Sequence, residues 1–234
     1  MKPIKYTLVL LFLFGLKAYS QLNIPAHFAY IKEGAFKEYS KDSSEVYEHK
    51  IASFYMYKFE VSGMDYIRFL RATNKQTPEN IDYKLPITNI TYSEAQAYCN
   101  WLQSIYKVPF RLPTKEEWEY AARGGNFEND QYLYNTNQPN EYVVYKDNST
   151  YNKPKCISCM KPNEFGLYGM VGNVWEWTEQ RLKRWKIEIV GGSFMQNKDS
   201  VKVTSIKMID TREKRSDLGF RFVVDAESFK KFLE

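Results

Sequence analysis

GLYGMVGNVWEW, Gly166 to Trp177, sets three glycines, two tryptophans and one glutamate within twelve residues. Glycine at this density marks a backbone that turns tightly, and the indoles of Trp175 and Trp177 need a core to pack into. Glu176 stands between them. From the residues alone the stretch reads as an active site, a metal site or a structural corner, and the segments around it have to decide.

Upstream lie two helix starts of one design. In "TYSEAQAYCNWL" Thr91 or Ser93 can cap the first turn, Glu94 suits its dipole, and Ala95, Tyr98, Cys99 and Leu102 line one face. In "RLPTKEEWEYAARGG" Thr114 and Glu117 form a capping box, Trp118, Ala121 and Ala122 make the buried stripe, and Gly124-Gly125 ends the helix. "GMDYIRFLRATN" predicts a further short amphipathic helix, because Tyr66, Phe69 and Leu70 recur at helical spacing. Ile51 to Ser62 reads as strand, as do "RWKIEIVGGSF", "SVKVTSIKMI" and "GFRFVVD". Asn126 to Pro162 is rich in Asn, Tyr and Pro and shows little periodicity. No linker interrupts the chain, so the pattern predicts one α+β domain over residues 21–234.

The chain has 234 residues, 44% hydrophobic and 17% aromatic, enough to bury a sizeable core. A formal charge of +5 is mild and gives no argument for nucleic acid. Lys2 and Lys5, the apolar run Thr7 to Leu16, and small Ala18 and Ser20 make the pattern of a secretory signal peptide over residues 1–20. The run is too short to span a bilayer, and no cysteine follows it to accept a lipid. The expectation is an exported chain without a transmembrane span: periplasmic, outer-membrane-associated or secreted. Cys156 and Cys159 form a C-x-x-C pair, open to a disulfide, to free thiols, or to a metal or redox role; Cys99 reads as a small core residue.

Six blocks occur in order: "FYMYKFEVSGMDYIRFL", "LPITNITYSEAQAYCNWL", "FRLPTKEEWEYAARGG", "NEFGLYGMVGNVWEWTE", "VGGSF" and "DLGFRFV". Together they resemble the formylglycine-generating enzyme, or sulfatase-modifying factor, family. The resemblance implies a compact α+β fold of the C-type-lectin-related kind. It also implies that the opening stretch is a calcium-binding corner, with backbone carbonyls from Gly169, Gly172 and Val174 and a carboxylate from Glu176. Family members often carry Asn or Asp where Gly169 stands; the change removes a ligand if the family uses that side chain and is harmless if it uses the backbone carbonyl.

Catalysis in that family takes two cysteines after the Gly-Gly-Ser block, which bind copper(I) as soft thiolates. Counted from Gly191-Gly192-Ser193, those positions hold Gln196 and Val201, and no cysteine follows Cys159. The degenerate positions Gln196 and Val201 therefore predict no copper and no formylglycine formation. His27 and His49 are the only histidines, too few for a non-haem iron site and unsuited to a hydrolase triad. Arg111, Arg123 and Arg221 read as buried structural arginines, with Glu117 or Glu119 as a candidate partner. Arg181, Lys183, Arg184 and Lys186 around Trp185 read as a solvated loop.

Two function classes follow. One is an exported, non-catalytic envelope component that binds a protein or glycan; relatives of this fold serve gliding motility and type nine secretion. The other is an atypical formylglycine-generating-type oxidase, or another metal-dependent enzyme on the same fold.

Overall fold

The computed structural model describes residues 24–39, 45–125, 139–150, 152–179 and 185–233. The expected leader over residues 1–20 and the basic residues Arg181, Lys183 and Arg184 lie outside the described residues. Three small sheets carry the strands. The first is three-stranded, in the order β1 (Phe28–Ile31), β4 (Phe54–Tyr57), β9 (Val223–Asp225), and antiparallel throughout. The second is the hairpin of β2 (Gly34–Tyr39) and β3 (Val46–Ile51). The third runs β7 (Ile206–Asp210), β6 (Lys186–Val190), β5 (Trp175–Trp177), β8 (Leu218–Gly219), with β5 and β8 parallel.

The capping chemistry sets the helices. Helix α1 (Gly63–Ala72) starts at Ser62, whose hydroxyl accepts from the Asp65 amide. Helix α2 (Tyr92–Tyr106) and helix α3 (Lys115–Ala122) both begin with complete capping boxes, Thr91 with Glu94 and Thr114 with Glu117. Helix α4 (Ala226–Leu233) closes the described chain and seats Phe229 on Phe28, ring centroids 5.0 Å apart. The strand expected from Ile51 to Ser62 is shorter than its composition suggests. Past Tyr57 the backbone leaves the regular ladder and bonds to irregular neighbours: Tyr57 N–H to Phe222 O, Val61 N–H to Phe220 O.

Two apolar clusters hold the elements together. One gathers α1, α2 and the inner faces of β5, β6 and β9 around Phe69, Tyr98, Trp177 and Phe220. The other joins α3 to β2, β4 and the Gly166–Trp177 corner around Trp118, Phe54, Met56 and Leu167. Cys99 is buried in the first, and burial pushes its thiol up to about 12, so it stays protonated and inert. Among the described residues no helix is long and apolar enough to cross a membrane.

Candidate functional site

The corner between Gly166 and Trp177 sits against the middle of the molecule, and its glycines are there for clearance. Gly172 has φ +73°, and a Cβ on it would stand 1.9 Å from the carbonyl oxygen of Val144. Gly169 has φ +61°, and its Cβ would fall 2.7 Å from Oε2 of Glu60. Only glycine satisfies both demands.

The side chains under this backbone form one buried polar cluster. Glu176, in β5, accepts from Nε1 of Trp118 at 2.9 Å, and from Nε and Nη2 of Arg221 at 2.8 Å each. Arg221 is fully buried and also donates to the carbonyls of Tyr168 and Lys58. The carboxylate that the sequence offered to calcium is thus held by a guanidinium and an indole. Gly169 O also faces Arg221, at 3.4 Å from Nη2.

The carboxylate left over is Glu60. Its Oε1 accepts from Nδ2 of Asn173 at 2.9 Å, and its Oε2 is buried without a hydrogen-bond partner. Burial pushes the Glu60 carboxyl up to about 8; Arg221 pulls it down, Glu176 pushes it further up. Two carboxylates beside one guanidinium leave an uncompensated negative charge in a fully buried site. Either Glu60 keeps its proton or a cation supplies the missing charge. A calcium ion takes carboxylate and carbonyl oxygens, and the carboxyls of Glu60 and Glu176 both lie at this corner. Among the described residues no group of three or more His, Cys, Asp or Glu converges as a metal site.

The second feature lies after β6. Val201 is buried among the apolar side chains of the second core cluster. Gln196 folds back so that its Oε1 accepts from the Ser193 amide at 2.9 Å. Both side chains flank one residue: a Cβ on Gly192 would lie 3.1 Å from Gln196 Oε1 and 3.3 Å from Val201 Cγ1. The fold therefore brings the two degenerate positions together. Ser193, buried beside them, donates to Asp217 at 2.8 Å, and Arg215 holds Asp217 through Nε and Nη2.

Phe194 and Met195 of the same turn open onto a cleft of about 540 Å³. Its other walls come from Asn80 to Ile90, from Asn152 to Pro154 and from Lys214 and Ser216. Lys214 pairs with Glu94 at 2.9 Å. The segment from Asp82 to Ile87 is pinned to the start of α1 by Gly63 N–H to Leu85 O and Ile87 N–H to Val61 O. Cys156 and Cys159 are joined by a disulfide, Cα atoms 5.2 Å apart. Their loop is tied to the cleft wall by Ile157 N–H to Lys84 O, and to the Glu60 cluster by Lys155 N–H to Oδ1 of Asn173.

The three arginines divide among four acids. Arg111 pairs with Glu117 at 2.7 and 2.8 Å and with Asp225 at 2.8 Å; Arg123 pairs with Glu119 at 2.6 Å. Arg221 takes Glu176, 45 residues away in sequence, where Glu117 or Glu119 had been the candidates. Glu60 and Asn173 escaped the sequence reading altogether. The available signal was an acid between Phe59 and Val61 in an otherwise apolar run. Trp185 is 55% exposed, with the Arg212 guanidinium 5.7 Å from its ring centroid.

A family model described as the sulfatase-modifying factor enzyme 1-like domain matches residues 17–226. The inactive C-alpha-formylglycine-generating enzyme 2 of Bos taurus is 32% identical over 59% of this chain and 50% of its own length. The formylglycine-generating enzyme of Mus musculus is 31% identical over 47% of this chain and 32% of its own. The chain thus spans about half the length, or less, of these curated relatives. PvdO of Pseudomonas aeruginosa superimposes with a TM-score of 0.74 at 17% identity, covering 85% of this chain and 94% of that one, which shows a shared fold.

Proposed function

The chain belongs to the sulfatase-modifying factor enzyme 1-like family, and from that premise we propose that it is a non-catalytic member that uses the inherited cleft to bind an extended polypeptide. The observation that carries this reading is the pair Gln196 and Val201. They meet at Gly192, where the family resemblance puts two copper-binding cysteines, yet one is an amide and the other an alkyl side chain. Neither is a ligand for copper(I), which takes sulfur. Cys99 cannot substitute because it is buried with a raised pKa, and Cys156 and Cys159 are bonded to each other.

What remains is recognition. The cleft combines apolar surface from Ile81, Pro86, Phe194 and Met195 with amides from Asn80, Asn89 and Asn152. That mixture suits a peptide, whose side chains need apolar contact and whose backbone needs hydrogen-bond partners. An inactive relative supports the non-catalytic role. The N-terminal leader pattern supports work in the cell envelope, in the setting of gliding motility or type nine secretion that the family resemblance suggests. Calcium is the accessory ion of this reading, held at Glu60 and stiffening the corner that backs the cleft.

The test restores the missing ligands. In a Cys156→Ser/Cys159→Ser background, adding Gln196→Cys and Val201→Cys should create one tight copper(I) site, because the fold already juxtaposes the two positions. The background alone should bind none. A background protein that binds copper(I) tightly would contradict the reading, and a restored variant that binds none would show that the loop has lost the geometry.

A further inference from the structure

We propose that the Cys156–Cys159 disulfide is an exchange site for thiols, open to attack at Cys159. This holds whether or not the cleft carries a polypeptide. Four observations lead to it. The bond closes a loop of only three residues' separation. Short loops gain the least from cross-linking, so the disulfide is poorly placed as a staple. Cys159 is exposed and Cys156 half-buried, which gives the pair an outer and an inner sulfur. The Ser158 hydroxyl lies 4.0 Å from Cys156 Sγ, where it can donate to a thiolate formed on that atom. Lys153 and Lys155 lie within three residues of Cys156 in the chain and add positive charge to this stretch, whereas Lys161 is taken by Glu141.

The step balances without a further reagent. An incoming thiolate attacks Sγ of Cys159 and forms a mixed disulfide. The Cys156–Cys159 bond breaks, and its electron pair leaves on Cys156, where the Ser158 hydroxyl can donate to the thiolate. A second thiolate then attacks the mixed disulfide at the sulfur of the first thiol and displaces Cys159. Two external thiols become one disulfide, and the protein pair becomes a dithiol. A low pKa on the departing sulfur speeds such a step.

The structure also says where this matters. The loop is bonded to Lys84, which lies between the cleft-lining Asp82 and Leu85, and follows directly on Asn152 to Pro154 of another wall.

Reduced glutathione is the probe. The full chain and an oxidised synthetic peptide of residues 152–162 are treated in parallel, quenched by alkylation and read by mass spectrometry at Cys156 and Cys159. The folded protein should react at least about tenfold faster than the peptide, because only folding sets the outer sulfur and Ser158 in place. Ser158→Ala should slow the folded protein severalfold and leave the peptide rate unchanged. A folded protein that reacts no faster than the peptide, or a Ser158→Ala protein as fast as its parent, would overturn the proposal.

Discussion

Replacing Glu60 by Gln keeps the size of the side chain, keeps an acceptor for Asn173, and removes a buried carboxyl whose Oε2 has no hydrogen-bond partner. The folded protein holds this group at about 8, against an ordinary 4.5. A carboxyl raised on folding binds its proton more tightly in the native state than in the unfolded one. Its contribution is therefore largest at low pH and is lost as pH rises from 4.5 through 8. Worked through linkage, the loss between pH 6 and pH 9 is about 3 kcal/mol. For a domain of this size that is roughly 6–12 °C in melting temperature. Glutamine cannot ionise, so the Glu60→Gln protein should lack this component. The assay is thermal unfolding of both proteins across pH 6–9 in chelator, read as the difference between them. Wild type should fall relative to the variant as pH rises. Saturating calcium should flatten the wild-type profile by displacing the proton, and should leave the variant unmoved. Parallel curves in chelator would refute the reasoning, since they would mean that Glu60 is not a buried neutral acid at pH 6.

Other consequences follow from the same cluster. Glu176→Ala leaves the Arg221 charge buried without its carboxylate, and should cost about 3–5 kcal/mol by denaturant unfolding in calcium and in chelator alike. A loss confined to calcium-containing buffer would return Glu176 to the role of a metal ligand. Gly172→Ala should prevent folding or cost several kcal/mol, whereas Gly166→Ala, with nothing within 4 Å, should cost only the left-handed backbone penalty of about 1–2 kcal/mol. Equal costs would remove the Val144 contact from the argument. Export predicts cleavage near Ser20–Gln21, and mass measurement finding an intact N-terminus on cytosolic protein would refute it.

The sequence carried the helices because their ends are local chemistry. Thr91 with Glu94 and Thr114 with Glu117 are three residues apart, and each pair closes its own first turn whatever the rest of the fold does. The strands were vaguer because their bounds depend on distant partners: β8 exists only because Leu218 and Gly219 lie beside Trp175 and Glu176. Helix α4 went unforeseen because its eight residues gain their reason from Phe28, two hundred positions upstream. The same distinction separates the two halves of the candidate site. Gln196 and Val201 were legible as departures from a motif. The Glu60 cluster joins residues 60, 118, 173, 176 and 221, and only the folded chain shows which acid Arg221 neutralises and which it leaves.

The most direct measurement of the non-catalytic reading is peptide mass spectrometry. The reduced, copper-loaded protein is incubated in air with a sulfatase-type cysteine peptide, beside a no-protein control. With Gln196 and Val201 at the ligand positions, the peptide should be recovered without conversion of its cysteine to an aldehyde. Loss of the cysteine sulfur with gain of an aldehyde, above the control, would contradict the account.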